Sequence, residues 1–253
     1  MTLQLMPRFS LLLVALLVLP LGSTAQPTPD STHQLLLADA RLVDPETQTV
    51  ERGALRIEGE RIAAVLEEAP ANFDGHILDL DGKWVLPGLV DAHVHSWGNA
   101  GPTFQEQQML QTTGTAKMML YSGVSAFLDL ASPEDYILNL RNRQRSRGFL
   151  GADIYAAGGP LTHPNGHGTQ YPGSSARTAT SPREARQRMD SLAARQPDVA
   201  KLIYNPNNDR YPSMDCATME AGIEAAQTHG LTTVVHVETW AASMPASIVA
   251  QSI

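Results

Sequence analysis

Short apolar runs separated by turn residues open the patterned part of the chain. QLLLADARLVD, residues 34–44, reads as a strand, and Asp44-Pro45 opens a turn over PETQTV. GALRIEGERIAAVLE reads as two strands joined at Gly59-Glu60, a hairpin signal. HILDLDGKWVLPG follows, with Asp81-Gly82 as a further turn. Short strands at this spacing predict a small β-sandwich or an open sheet. No chemistry is visible in this stretch, and His33 and His76 read as solvated loop residues.

From residue 84 the pattern changes. WVLPGLVDAHVH is apolar and strand-like. A helix is predicted from about Thr103 to Tyr121, with capping-box spacing between Thr103 and Glu106 and Gly123 near its end. VSAFLDL, 124–130, is a second strand. Ser132-Pro133-Glu134-Asp135 opens the next helix, with a capping serine, proline at the first position and acids in the first turn. That helix should end near Gly148. GADIYAAGG is a third strand, and Ser181-Pro182-Arg183-Glu184 starts another helix by the same device. DVAKLIYN is a fourth strand, an alanine-rich helix runs from about Asp215 to Thr228 and stops at Gly230, and TTVVHVE is a fifth strand. Strands alternating with helices predict a parallel sheet with helices outside it. A doubly wound sheet and a (β/α)8 barrel both fit. The doubly wound reading lacks a Gly-rich phosphate loop after its first strand, where His-Val-His stands instead.

Composition sharpens the class. With 43% hydrophobic and 17% charged residues the profile is globular, neither disordered nor fibrous. The formal net charge is −8 and no basic run appears, which argues against a nucleic-acid surface. Cys216 is the sole cysteine and reads as a small buried helix residue, so no intrachain disulfide forms. At the N-terminus, Arg8, the apolar run Leu11 to Gly22 and the small residues Ser23-Thr24-Ala25 read as an export signal cleaved near Ala25. That predicts a periplasmic or secreted protein without a stable membrane anchor, because the apolar run is short for a span.

The candidate chemistry lies at the C-terminal ends of the strands, where α/β barrels carry functional residues. His93 and His95 end the first strand of the alternating region, Asp129 the second, Lys201 lies in the fourth and His236 ends the fifth. An unpartnered buried polar group costs about 1–3 kcal/mol, so packing alone does not explain this repetition. Side chains alternate along a strand, so His93 and His95 point the same way, about 7 Å apart along the chain, and can tilt onto one divalent ion. Lys201 is flanked by Ala200 and Leu202. Desolvation there lowers its pKa and exposes a neutral amine, which can take up carbon dioxide as a carbamate that bridges two metal ions. Pairing with a carboxylate is the structural alternative for Lys201, and a satisfied core histidine that for His236. Asp129 either orients a ligand or caps the next helix. The glycine-rich loop THPNGHGTQYPG carries His163 and His167 as candidate substrate contacts. His229, beside Gly230, reads as a helix-end cation.

These residues resemble the amidohydrolase superfamily, in its imidazolonepropionase-like and prolidase-like branch. VLPGLVDAHVH is similar to that family's strand-one signature, GLVDAHVH being the most specific part. YSGVSAFLDL is similar to its second-strand motif, with Leu128 where arginine is usual, and GGPLTHPNGHG resembles its third-strand loop, the motif histidine falling on His167. KLIYN and VVHVE match its strand-four lysine and strand-five histidine. With the export signal taken as 1–25, the resemblance implies a composite β-sandwich domain over 26–88 and an incomplete (β/α)8 TIM barrel over 89–253. It implies metal ligation by His93, His95, Lys201 and His236, with two zinc ions and Lys201 carboxylated. The implied activity is hydrolysis of a carbon–nitrogen bond in an amide, cyclic amide or small peptide by metal-activated water. A mononuclear deaminase or ring-opening hydrolase, or a catalytically dead binding protein, is the alternative. The family also uses a strand-six histidine and a strand-eight aspartate as proton shuttle. Neither is found up to Ile253, so no catalytic residue is assigned. At about 30 residues per βαβ unit the region holds roughly five units, against about 250 residues for a whole barrel. The expectation is the front part of a longer enzyme, of low stability and without activity alone, whose partner is a small-molecule substrate.

Overall fold

A computed structural model describes residues 34–96, 112–171, 173–206 and 210–237. The export segment 1–25, His33 and the capping box of Thr103 and Glu106 lie outside the described residues. The chain divides between Pro87 and Gly88 into two compact units.

The first unit is one sheet among the described residues, built from β1 (Gln34–Asp44), β2 (Thr49–Glu58), β3 (Arg61–Leu66), β4 (His76–Asp79) and β5 (Trp84–Val85). Its order is β3-β2-β1-β4, with β5 also on β1. β1, β2 and β3 pair antiparallel, while β4 and β5 run parallel to β1. Asp44 closes the first turn by accepting from the amides of Glu46 and Thr47 at 2.9 and 3.3 Å. Gly59, at φ +60°, supplies the left-handed residue of the β2–β3 hairpin. Leu36, Ala38 and Ala54 are buried, with Leu66 and Phe73 packed on them.

The second unit alternates strand and helix: β6 (Leu89–Val94), α1 (Thr112–Tyr121), β7 (Val124–Asp129), α2 (Glu134–Arg145), β8 (Asp153–Ala156), then β9 (Leu161–Thr162) and β10 (Arg177–Thr178), α3 (Pro182–Ala193), β11 (Val199–Ile203), α4 (Cys216–Thr228) and β12 (Thr232–His236). It is mixed α/β with parallel sheets, β6-β7-β8 and β10-β9-β11-β12. The two meet at one seam. Asp198 donates its backbone N–H to the Ala156 carbonyl at 2.9 Å, and its Oδ2 accepts from the Ala156 N–H at 2.8 Å. β8 and β11 are therefore neighbours. Short β9 and β10, inside the glycine-rich loop region, carry too few residues for a period-2 signal.

The helices bury one stripe each against these sheets. α3 buries Ala185, Met189 and Leu192, the i, i+4, i+7 positions of one face. α4 approaches so closely that a Cβ on Gly222 would stand 2.9 Å from Leu161 Cδ2 and 3.0 Å from Leu202 Cδ2. Ser181 caps α3 as the sequence predicts, accepting from Glu184 N with Pro182 in the first turn. Asp215 likewise caps α4 through Thr218 N, at 2.7 Å. The predicted serine cap on α2 does not form. Pro133 occupies the N-cap position without a side-chain cap, and Ser132 Oγ donates instead to Asp129 Oδ2 at 2.5 Å. A carboxylate accepts more strongly than the helix end donates, so the serine turns back. Asp129 correspondingly does not cap α2. The helix stops at Arg145, three residues before Gly148, with Arg147 at φ 59°.

Asp198 also receives Arg141 Nη1 at 2.9 Å and Arg145 Nη2 at 2.8 Å. Burial alone would raise its carboxyl, but the bonds from Arg145, the Ala156 amide and Arg141 outweigh that and hold it below the ordinary range. Asp198→Ala leaves Arg141, 4% exposed, without its carboxylate. The expected cost is about 3 kcal/mol, read as a lower urea midpoint at unchanged slope. Because the folded carboxyl titrates below its unfolded range, this contribution is full above about pH 4 and is lost as pH falls through the folded value. The difference between parent and variant should therefore shrink in acid.

Candidate metal centre

The site is built from strand ends. Val94 turns into the core at 7% exposure, so its neighbours His93 and His95 face the opposite side together. Their rings meet edge to face, with centroids 5.3 Å apart. In β11, Ala200 and Leu202 are fully buried toward the helices, which leaves Lys201 and Ile203 on the other face. Lys201 is itself 3% exposed. β12 pairs with β11 in parallel and sets His236 beside Ile203. His93, His95, Lys201 and His236 all line one cavity of about 270 Å³, together with His167, Tyr171 and the apolar residues Leu130, Pro133, Pro160 and Ile203. A larger hollow of about 750 Å³ in the first unit is lined by Leu42, Ile62, Val65 and Leu66, with no histidine or lysine. The chemistry therefore sits with the smaller one.

Of the two loop histidines, the structure brings only His167 into the cavity. Its ring stacks on His236 at 4.9 Å and 15°, and meets Tyr211 and Tyr171 edge-on at 5.6 and 6.5 Å. His167 Nδ1 is buried without a hydrogen-bond partner among the described residues. Gly168, at φ +97°, lets the loop pass where a Cβ would stand 3.0 Å from Ile203 Cδ1. His163 lies off the cavity lining, its Nδ1 2.6 Å from the Pro164 carbonyl. Asp129 is also off the lining, fully buried behind it. His229 ends α4 and bonds Asp190 at 2.8 Å. Cys216, half-buried, starts α4, and burial raises its thiol. The sequence reading did not single out Ser96, Tyr171 or Tyr211. Their partners lie far along the chain or on other loops, and no periodicity marks them.

The electrostatics favour neutral donors. Burial pushes the Lys201 amine down to about 8 from 10.5. Burial also lowers His93, helped by the nearby Lys201 charge and opposed by Asp91. His95 is lowered by burial, with Asp129 opposing and His93, Lys201 and His167 reinforcing. Neutral imidazoles present lone pairs to the cavity, and the amine loses its proton far more readily than an ordinary lysine. No carboxylate lines it among the described residues. Among those residues no three His, Cys, Asp or Glu side chains close on a single point. The donors thus divide into the His93–His95 pair and His236, with Lys201 close enough to both members of the pair to depress them.

No protein-family model matches the chain. Among curated proteins it is similar to an allantoinase of Deinococcus radiodurans, 28% identical over 210 residues, 81% of this chain and 41% of that protein. An imidazolonepropionase of Chromobacterium violaceum is 47% identical over 49 residues, 18% of this chain and 12% of that protein. Among solved structures, a Xaa-Pro dipeptidase with bound methionine in the active site superposes with a TM-score of 0.70 at 21% identity, over 81% of this chain and 56% of that one. A putative prolidase from Bifidobacterium longum gives 0.67 at 24%, over 87% and 52%. At these identities the structural likeness speaks for the fold. The chain spans about half the length of these solved structures.

Lys201 generates a stability prediction. Its folded pKa lies below its unfolded one, so the fold is penalised while the amine is charged, and the penalty fades as pH rises from about 8 past 10.5. In the metal-free protein, Lys201→Met should raise stability at pH 7 by about 3 kcal/mol, with the gain vanishing at high pH. Denaturant midpoints across pH check this; an equal or lower midpoint at pH 7 would contradict it.

Proposed function

We propose that the chain belongs to the amidohydrolase superfamily, on its prolidase-like branch, a reading that its similarity to an allantoinase and an imidazolonepropionase and its fold support, and that it forms the metal-binding part of a hydrolase acting on carbon–nitrogen bonds. The substrates in view are small amides, cyclic amides or short peptides. The observation that carries this is the convergence of His93, His95, Lys201 and His236, from three different strands, on one small cavity. On this reading β6, β7, β8, β11 and β12 are the first five staves of a (β/α)8 barrel whose active site lies at the C-terminal strand ends. The sheet over 34–87 is then part of a composite sandwich. Export with cleavage near Ala25 accompanies the proposal, supported by Arg8 and the apolar run to Gly22. Among the described residues no helix is long and apolar enough to cross a membrane.

The donor set fits borderline divalent cations such as zinc, since it offers nitrogen ligands split between two positions. His93 and His95 would hold one zinc ion, His236 a second. Lys201, carboxylated on its amine, would add an oxygen ligand to the set. Bound zinc supplies hydroxide at neutral pH and polarises a carbonyl. The chain does the rest. Desolvation brings Lys201 down to about 8, which raises the neutral fraction of the amine far above that of an ordinary lysine. The lone pair of that fraction attacks carbon dioxide, and the amine proton leaves to solvent as the carbamate forms. His167, braced by His236, Tyr211 and Tyr171, presents a ring nitrogen to substrate. Leu130, Pro133, Pro160 and Ile203 exclude water and accept the apolar part of a small substrate. No residue is assigned as proton shuttle.

Metal analysis tests this. After exposure to Zn2+ and gel filtration, the protein should retain about two ions per chain. His93→Ala with His95→Ala should remove one and His236→Ala the other. One ion per parent chain, untouched by Lys201→Ala, would favour a mononuclear deaminase. No retained zinc would sink the proposal.

A further inference from the structure

The carboxylate of Asp129 is fully buried and engages two serines from different loops. Its Oδ2 accepts from Ser96 N at 2.8 Å, Ser96 Oγ at 2.5 Å and Ser132 Oγ at 2.5 Å. Its Oδ1 accepts from Ser132 N at 2.8 Å and Ala131 N at 3.2 Å. Ser96 follows His95 directly, so the Ser96 N–H lies in the peptide plane that His95 shares with it. The plane on the other side of His95 is held too, because Leu130 N donates to the Val94 carbonyl at 3.0 Å. Both peptide planes flanking His95 are therefore fixed by the end of β7. A side chain's direction follows from its backbone, so fixing those planes aims the imidazole.

We propose that Asp129 is a positioning residue that aims His95 into the cavity through the His95–Ser96 peptide. This rests on reading His95 as a metal ligand. A carboxylate meets the requirement, since three of the five groups facing it are backbone N–H groups that can only donate, and each carboxylate oxygen faces at least one of them. Asparagine would turn an NH2 toward at least one of them, leaving both unsatisfied in a buried site. Partners one step behind metal ligands are worth a large part of a site's affinity.

The test uses Zn2+ competition against a chromophoric chelator, and histidine ring 1H–15N NMR of the metal-free protein. Asp129→Asn should lower Zn2+ affinity about 10–100-fold and shift or broaden the His95 signals, leaving those of His229 in place. Ser132→Ala removes an equally buried bond to the same Oδ2 but touches no ligand-bearing peptide, and should leave both readouts near the parent's. If Asp129→Asn does not fold, Ser96→Ala replaces it, with a smaller loss in the same direction; equality with Ser132→Ala would overturn the proposal. Unmoved His95 signals in Asp129→Asn would overturn it whether or not zinc binds. A parent that binds no zinc defeats the ligand reading alone, and the His95 signals then still judge the positioning.

Discussion

The carboxylate of Asp198 turns two parallel sheets into one continuous surface. A parallel sheet needs each strand to meet its neighbour along an edge, and between β8 and β11 the described meeting is a two-way exchange between Asp198 and Ala156. The side chain supplies an acceptor where a ladder carbonyl would otherwise stand. Arg141, almost wholly buried, and Arg145 fix that carboxylate. Everything that follows depends on the join. His93 and His95 stand on one side of it, Lys201 and His236 on the other, and they share a cavity only because the seam holds.

With the sheets joined, the cavity gathers basic groups and no carboxylate among its described lining. Mutual repulsion and desolvation then act in one direction, toward loss of protons. That is the condition under which nitrogen becomes a ligand or a nucleophile. The burial of Lys201 thus runs against stability and toward chemistry. Its flanking residues, Ala200 and Leu202, are packed against helices, so the strand cannot rotate the amine away without unburying them.

A second carboxylate secures the far wall. Glu134, in the first turn of α2, accepts from Gly159 N at 3.1 Å and from Arg177 Nη2 at 2.9 Å, and it also pairs with Arg177 Nη1. Its own amide donates to Ser175 Oγ at 2.9 Å. Burial would raise this carboxyl, but the Arg177 and Gly159 bonds prevail and keep it below the usual range. Both ends of the loop that bears His167 and Tyr171 are therefore tied to one helix start. Loops on a rigid scaffold are where recognition residues gather. Here ion pairing between groups about one-eighth exposed holds the loop, where a longer strand pair would otherwise be needed.

The alternation of strand and helix, the paired histidines of β6, and the polar residues at the ends of β11 and β12 were legible in the sequence alone. Those features are local: a period of two, a period of 3.6, and polar residues interrupting apolar runs. Capping was legible at Ser181, where the partner amide lies three residues on. It was not legible at Ser132, where Asp129 offered a stronger acceptor. The motif resemblance pointed to His167 and not to His163, and the packing of Tyr211 and His236 around His167 is what the fold adds. The Asp198 seam, the Glu134 clamp and the serines around Asp129 were decided by tertiary structure. Many of their partners lie tens of residues apart, and a buried hydrogen bond forms with whichever group the fold brings within about 3 Å, which no local pattern encodes.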